Sequence, residues 1–170
     1  MRSCARSVKL YLDVDGVVNP YVAPGELPET WPDFREGFAG HRVAVWSPTM
    51  LAAIGRLPVE VVWTTTWGSS VEEALGSHLG VDTIRRALDL HAVGLGSAGA
   101  KPMAIVQDLM ARPSPFIWID DDAITPAATD QLTRLGHPML TISPDPRTGL
   151  EPGHLERIAA FIADAAPSSR

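Results

Sequence analysis

Short apolar runs that end in polar clusters recur along the chain and predict buried β-strands. Nearly continuous apolar runs of about four to eight residues, rich in β-branched and aromatic side chains, are typical of strands covered on both faces. The clearest of these runs begin at Val8, Val59 and Phe116. Weaker runs predict further strands at residues 41–46, 90–95 and 138–142.

Helix signals lie between these runs. Ser47 followed by Pro48 is a typical helix start, with an N-cap residue ahead of a first-turn proline. Ser70 and Glu73 have the spacing of a capping box, ahead of a helix that Gly80 would end. The predicted helices are at residues 48–57, 70–79, 84–88, 101–110, 126–135 and 153–165.

The segment at residues 19–40 has a different character. It holds four prolines and three glycines, a density that suits an irregular excursion better than a helix or strand. Together with the short strand predicted after it, the segment forms a flap or lid at about residues 19–46.

Strands that alternate with helices predict an α/β fold. Right-handed βαβ crossovers build a mostly parallel sheet with helices on both faces, a three-layer α/β/α arrangement of Rossmann-like type. No repeat, low-complexity tract or linker divides the sequence, so residues 1–170 are expected to form a single domain. The polar clusters at the strand ends would then meet at the carboxyl edge of the sheet, where such folds bind ligands.

Composition excludes several classes of protein. The chain has 170 residues, 45% hydrophobic and 20% charged, which is typical of a soluble domain with a buried core. A net charge of −6 argues against broad attraction to nucleic acid or to an anionic membrane. The single cysteine, Cys4, cannot form an internal disulfide, and Asp13 and Asp15 interrupt any apolar segment of a signal peptide. We therefore expect a cytoplasmic protein with no membrane span and no obligate protein partner.

Two acidic clusters at strand ends are candidate metal ligands. Asp13 and Asp15 flank one residue, so in an extended backbone their side chains leave from the same face. A divalent cation relieves the repulsion between such carboxylates, and Mg²⁺ prefers an all-oxygen shell. Asp120, or Asp121 beside it, would complete this shell from a neighbouring strand. Each cluster alone is equally well explained as a turn or a helix cap, so the hypothesis depends on their joint position.

The run at residues 13–18, D-V-D-G-V-V, resembles the first motif of the haloacid dehalogenase-like (HAD) superfamily. The three other HAD motifs follow in the same order. The second is a threonine at the end of a core strand, matched by Thr64 or Thr65. The third is a lysine at the start of a helix, matched by Lys101, and the fourth is an acidic pair, matched by residues 120–121.

The resemblance implies a magnesium-dependent phosphohydrolase and a role for each motif residue. Asp13 would be the nucleophile that is transiently phosphorylated, and Asp15 would be the general acid and base, contacting the metal through its backbone carbonyl. Thr65, favoured slightly over Thr64, would bind the phosphoryl group, and Lys101 would bind phosphate and screen its charge. The metal ligands implied by the resemblance are Asp13, Asp15, Asp120 and Asp121.

The substrate class is indicated by the lack of room for a large cap domain and by two tryptophan-containing elements. Neither place where HAD enzymes insert a cap domain has room for a large one, which implies a capless type with an open site. The elements at residues 63–67, W-T-T-T-W, and 118–121, W-I-D-D, are similar to those of the HAD domain of Swiss-army-knife RNA repair proteins. The expected substrate is a phosphomonoester, either a small molecule such as a nucleotide or a nucleic-acid end. The tryptophans themselves are interpreted as packing residues beside the site.

A non-enzymatic phosphoreceiver or phosphate-binding module with a HAD-like fold is the competing interpretation. Receivers also combine acidic residues, threonine and lysine around Mg²⁺. In receivers, however, an acidic pair precedes a lone phosphoacceptor on a later strand, whereas here D-x-D comes first and the acidic group last. The order of the motifs favours an enzyme.

Overall fold

The structure is a computed structural model that describes residues 8–23, 25–93 and 97–165; Cys4 and the end of the strand predicted at 90–95 lie outside them. The strands are β1 (Val8–Leu12), β2 (Arg35–Ala39), β3 (Arg42–Trp46), β4 (Val59–Trp63), β5 (Arg85–Ala87), β6 (Phe116–Ile119) and β7 (Met139–Ile142). The α-helices are α1 (Pro48–Gly55), α2 (Ser70–Ala74), α3 (Ser97–Ala111), α4 (Pro126–Thr133) and α5 (Pro152–Ala165). Among these helices, none is both long and apolar enough to cross a membrane.

Five of the strands form one parallel sheet in the order β5-β4-β1-β6-β7. The first strand in the sequence is thus the central one, and its residues are buried throughout. The predicted α/β fold with a mostly parallel sheet is confirmed.

The two faces of the sheet are covered by different helices. Leu10 and Leu12 of β1 belong to a core shared with α1, α2 and α5, whereas Tyr11 belongs to a second core shared with α3 and α4. Because side chains alternate along a strand, one run of consecutive apolar residues supplies both cores. Complete burial of a single leucine contributes roughly 1.5–3 kcal/mol. The three predicted layers are therefore present, and helices cover both faces of the sheet.

The segment between β1 and α1 contains an antiparallel hairpin of β2 and β3. The strand predicted at residues 41–46 is confirmed by β3, but the irregular excursion predicted for 19–40 is wrong where β2 lies. The β2 strand contains Gly37 and mostly exposed side chains, so its sequence has no apolar run that would predict a strand. Its extended conformation depends on pairing with β3. At the turn, Gly40 has a φ of +65°, a conformation that favours glycine. Within the described residues the insertion amounts to this hairpin and its loops, and there is no large cap.

Several local predictions are wrong. The stretch predicted as a helix at residues 84–88 contains β5, because its edge position beside β4 supplies the hydrogen bonds that make it a strand. The predicted capping box is absent: Ser69 is the N-cap residue of α2, and the Ser70 hydroxyl donates to the Trp67 carbonyl. Residues 91–93 form a 3-10 turn rather than part of a strand.

Candidate active site

The candidate site lies at the carboxyl edge of the sheet, where three neighbouring strands end. β4, β1 and β6 are paired in register, so the residues that follow them, Thr64, Asp13 and Asp120, lie level with one another. Main-chain hydrogen bonds extend this register past the strands: the Thr64 N–H donates to the Leu12 carbonyl at 2.8 Å, and the Asp13 N–H donates to the Ile119 carbonyl at 3.1 Å. All three polar side chains are buried. The structure thus brings these residues together at the edge predicted from the sequence.

Lys101 joins the two aspartates from the helical layer. It lies in the second turn of α3, not at the start of the helix as predicted, because α3 begins at Ser97. Its Nζ lies 2.5 Å from Asp13 Oδ2 and 2.8 Å from Asp120 Oδ2. Lys101 and both aspartates are no more than 6% exposed, so water screens these charges poorly. The ammonium group therefore binds the first and last acidic motifs to each other.

The Lys101 ammonium group does not fully offset the effect of burial on the pKa values of the carboxyl groups around it. Burial, together with the Asp120 carboxylate, raises the pKa of Asp13, although Lys101 opposes the shift. Burial also raises the pKa of Asp120 against the effect of Lys101, and it raises the pKa of Asp121 with help from Asp122. Burial alone would lower the pKa of Lys101, but the two aspartates outweigh it and raise that pKa. The charged form of each of these carboxyl groups is therefore disfavoured, a condition that a bound cation relieves.

The acidic residues fit a magnesium ion. One carboxylate oxygen each from Asp13, Asp120 and Asp121 lie within 4.8 Å of one another, and Mg²⁺ prefers such hard oxygen ligands. The Asp120 carboxylate is already engaged, since Oδ2 accepts from Lys101 and Oδ1 accepts from two main-chain N–H groups of the following loop. Asp121 instead lines a pocket together with Asp13. Both alternatives left open by the sequence, Asp120 and Asp121, therefore lie within reach of a cation bound at Asp13.

Gly16 is required at its position by both conformation and space. Its φ is +74°, which lies in the left-handed region. A Cβ atom added there would lie 2.4 Å from Asp121 Cγ, so the Asp121 carboxylate would have to move away. The glycine of the D-x-D-G motif therefore allows the fourth motif to approach the first.

Asp15 lies beside Asp13 but has different partners. A pocket of about 130 Å³ is lined by Asp13, Asp15, Tyr21, Thr66, Lys101, Asp121 and Asp122. The Asp15 carboxylate is not one of the three that converge as possible metal ligands. It accepts hydrogen bonds from Asn19 Nδ2 at 2.7 Å and from Trp67 Nε1 at 2.9 Å. This side chain faces the pocket without an ion-pair partner among the described residues, an arrangement suited to exchanging a proton with a ligand.

The two candidate threonines differ in what their hydroxyl groups do. Thr64 donates its only hydroxyl proton to the Val62 carbonyl of its own strand, at 3.0 Å. Thr65 Oγ1 accepts from the Trp67 N–H at 3.3 Å, which leaves the Thr65 hydroxyl proton available to a ligand. Of the two threonines, Thr65 is the one whose hydroxyl proton has no acceptor among the described residues. Its role in binding a phosphoryl group stays a prediction.

Some residues at the site have no clear signal in the sequence. Tyr21 and Thr66 line the 130 Å³ pocket, and Asn19 binds Asp15 from the start of the flap segment. Tyr21 and Asn19 lie in the proline-rich stretch, where no periodicity marks a position as functional. Trp67 is interpreted from the sequence as a packing residue; it is buried, and its indole N–H also donates to Asp15. Its position two residues after Thr65 is the one sequence signal that could have indicated this contact.

A larger cavity adjoins the acidic pocket. It has a volume of about 600 Å³ and is lined on one side by the loop at residues 65–70 and on the other by residues 87–91, with Ala100 beside them. Thr66 lines both cavities, so the two lie side by side at this residue. The walls combine apolar groups such as Leu88 and Leu90 with serine, threonine and aspartate side chains.

Comparison with known proteins agrees with the motifs. A family model described as "HAD domain in Swiss Army Knife RNA repair proteins" matches residues 9–155. No curated protein and no solved structure matches the chain. The matched range includes Asp13, Thr65, Lys101 and Asp120, and the resemblance inferred from the four motifs is confirmed.

Proposed function

Because the chain belongs to the family of HAD domains of Swiss Army Knife RNA repair proteins, we propose that it is a magnesium-dependent phosphohydrolase acting through a phosphoryl group on Asp13. The observation that carries the proposal is the convergence of Lys101 on Asp13 and Asp120 in one buried cluster, with Asp121 completing the acidic group. Family membership supports a hydrolase of the phosphatase type. In this proposal the whole activity resides in one domain, and the substrate is a phosphomonoester.

The first step transfers the phosphoryl group to the protein. An Asp13 carboxylate oxygen forms a bond to phosphorus as the bond from phosphorus to the leaving oxygen breaks, and Asp15 gives that oxygen a proton. The Thr65 hydroxyl donates to the phosphoryl oxygens, and the Lys101 ammonium offsets negative charge on Asp13 and phosphate. Asp13, the Asp15 carbonyl and the Asp120–Asp121 pair would hold Mg²⁺, which would neutralise the charge that otherwise repels a carboxylate from a phosphate.

The second step returns the protein to its starting state. Water attacks the phosphorus atom, Asp15 takes a proton from that water, and the bond between Asp13 and phosphorus breaks. General acid and base catalysis typically contributes roughly 100- to 10,000-fold to a reaction rate. Because Asp15 transfers a proton in both steps, both depend on the orientation of its carboxyl group. Inorganic phosphate is the product.

An open site with room beside it supports a sizeable leaving group. The 600 Å³ cavity borders the acidic pocket at Thr66, and the described insertion is a hairpin rather than a cap domain. The association of the family with RNA repair proteins adds nucleic-acid ends to nucleotides as substrates to test first. Both carry a terminal phosphomonoester that fits the same chemistry.

Metal dependence and repeated turnover test the proposal directly. With Mg²⁺, the wild-type protein should release many equivalents of p-nitrophenol from p-nitrophenyl phosphate, and removal of divalent ions with EDTA should stop the release until Mg²⁺ is restored. A phosphoreceiver would stop after one phosphoryl group per chain. The same assay is then run on nucleotides, phosphorylated RNA and DNA ends, and sugar phosphates, with the Asp13→Asn protein as the blank. No rate above that blank on any substrate would overturn the enzyme proposal.

Replacing Thr65 should reduce turnover far more than replacing Thr64. Thr65→Val keeps the shape of the side chain but removes the donor to the phosphoryl group, which we expect to cost about 100-fold or more in kcat. Thr64→Val removes a hydrogen bond within its own strand and should change kcat by less than about threefold, since that hydroxyl is not offered to the ligand. The two kcat values are measured on one substrate at saturating Mg²⁺. A larger loss for Thr64→Val would transfer the phosphate-binding role to that residue.

A further inference from the structure

Both oxygens of the Asp15 carboxylate are held by side chains that take no other part in the proposed chemistry. Oδ1 accepts from Asn19 Nδ2 at 2.7 Å, and Oδ2 accepts from Trp67 Nε1 at 2.9 Å. The two donors approach opposite ends of the carboxylate, so rotation of the group breaks at least one hydrogen bond. Free rotation would otherwise let the carboxyl group of Asp15 turn away from a leaving oxygen.

Trp67 is itself fixed in place. Its ring is buried, its backbone N–H donates to Thr65 Oγ1, and the Arg42 guanidinium carbon lies 5.1 Å from the centre of the ring. A guanidinium at this distance over an indole face is attracted to the ring. The edge carrying Nε1 is thereby directed at Asp15 from the loop that follows β4.

Asn19 is fixed by a second set of contacts. Its side-chain oxygen accepts from the Val45 N–H of β3 at 2.8 Å, which requires that the amide nitrogen point the other way, toward Asp15. Its own backbone N–H donates to the Val14 carbonyl at 2.8 Å, and its carbonyl accepts from the Gly16 N–H at 2.9 Å. The orientation of the amide is therefore determined by its partners on either side.

We propose that Trp67 and Asn19 are positioning residues that hold the Asp15 carboxyl group for proton transfer, and that they connect it to the β2–β3 hairpin. The inference rests on the proposed function. Each of the two residues contacts β3 as well as Asp15, Asn19 through Val45 and Trp67 through Arg42. The hairpin thus serves to orient the general acid, in addition to bordering the site.

Leaving groups of different basicity separate this role from simple packing. Proton transfer from Asp15 to the leaving oxygen matters little for p-nitrophenyl phosphate, whose leaving group departs as a stable anion, and matters much for phenyl phosphate. In Trp67→Phe, which retains an aromatic ring but not the N–H, kcat/KM should fall roughly 10- to 100-fold for phenyl phosphate, the range for a misplaced catalytic group. The loss for p-nitrophenyl phosphate should be several times smaller. The ratio kcat/KM is used because it reports the first chemical step and not the release of phosphate from Asp13.

Trp31→Phe is the matched control. It removes one indole hydrogen bond of similar length, 2.7 Å to the Leu150 carbonyl, without touching Asp15, and should change kcat/KM equally for the two substrates. Asn19→Ala provides a second variant, which tests the inference even if Trp67→Phe fails to fold. It should show the same preferential loss of kcat/KM on phenyl phosphate. Equal losses on both substrates in both site variants would overturn the inference while leaving the proposed function intact. A wild-type protein inactive on these two substrates and on every phosphomonoester of the screen would overturn the proposed function and this inference with it.

Discussion

Asparagine in place of Asp13 should abolish turnover, with a loss of at least about 10,000-fold in kcat on any phosphomonoester that the wild type hydrolyses. The amide has the shape of the carboxylate but cannot form the bond to phosphorus. Its oxygen can still accept the hydrogen bond that Asp13 receives from the Val14 N–H at 2.7 Å, so the loop should keep its conformation. The kcat values of both proteins are measured with Mg²⁺ on p-nitrophenyl phosphate and on the best substrate from the screen.

The control for this variant is Asp164→Asn, which makes the same chemical change at an exposed position on α5. It should retain full activity. Urea unfolding of the Asp13→Asn protein should be cooperative. The change removes one of the two carboxylates that contact Lys101 in the buried cluster, and Lys101 keeps its ion pair with the other, Asp120. A folded Asp13→Asn protein with more than about 1% of the wild-type kcat would show that another group attacks phosphorus.

Alanine in place of Asp108 should lower the free energy of unfolding by about 3–5 kcal/mol, the largest loss of stability among the variants proposed for this protein. Asp108 lies on α3 and accepts three hydrogen bonds on Oδ2, from Lys9 at 2.9 Å, Tyr11 at 2.7 Å and Arg86 at 2.7 Å. Lys9 and Tyr11 are almost completely buried in the sheet. The variant removes the acceptor of the Tyr11 hydroxyl group and the carboxylate partner of the Lys9 ammonium, which keeps its hydrogen bond to the Arg112 carbonyl. The loss is a large fraction of the roughly 5–15 kcal/mol that stabilises a typical domain.

Urea unfolding at neutral pH measures this effect against two further variants. Asp108→Asn keeps an acceptor but not the charge and should lose less than the alanine variant. Asp130→Ala removes an exposed carboxylate from α4 and should change the free energy by no more than about 0.5 kcal/mol. If the free energy of unfolding of Asp108→Ala fell by less than about 1 kcal/mol, the hydrogen bonds of Asp108 with Lys9, Tyr11 and Arg86 would contribute little to stability.

The pH dependence of the same comparison has a definite sign. Burial by itself would raise the pKa of Asp108, but the hydrogen bonds from Tyr11, Lys9 and Arg86 outweigh it and hold the pKa well below its usual value of 3.8. A carboxyl group with a depressed pKa in the folded protein stabilises the fold fully above its unfolded pKa, and the contribution is lost as pH falls toward the folded value. The difference between wild type and Asp108→Ala should therefore be constant near neutral pH and should shrink below about pH 4.

Local sequence was sufficient where a single stretch of chain decides the outcome. The central strands, their order along the chain and the polar residues at their ends follow from short apolar runs, and parallel topology then makes the ends of β4, β1 and β6 converge. Local sequence failed for β2 and β5. Neither has an apolar run of its own, and each becomes a strand because a neighbour supplies hydrogen bonds.

By itself, the sequence determined the fold class, the family and the four motifs, because these are written in residue type and order. Only the tertiary structure decided that Asp121 lines the pocket, that the Thr65 hydroxyl proton has no acceptor among the described residues, and that Trp67 binds Asp15 across 52 positions of chain. The physical reason is that apolar periodicity encodes which side of an element is buried, whereas a hydrogen bond between distant side chains depends on how two segments are placed to within a fraction of an ångström. That placement comes from the packed layers as a whole.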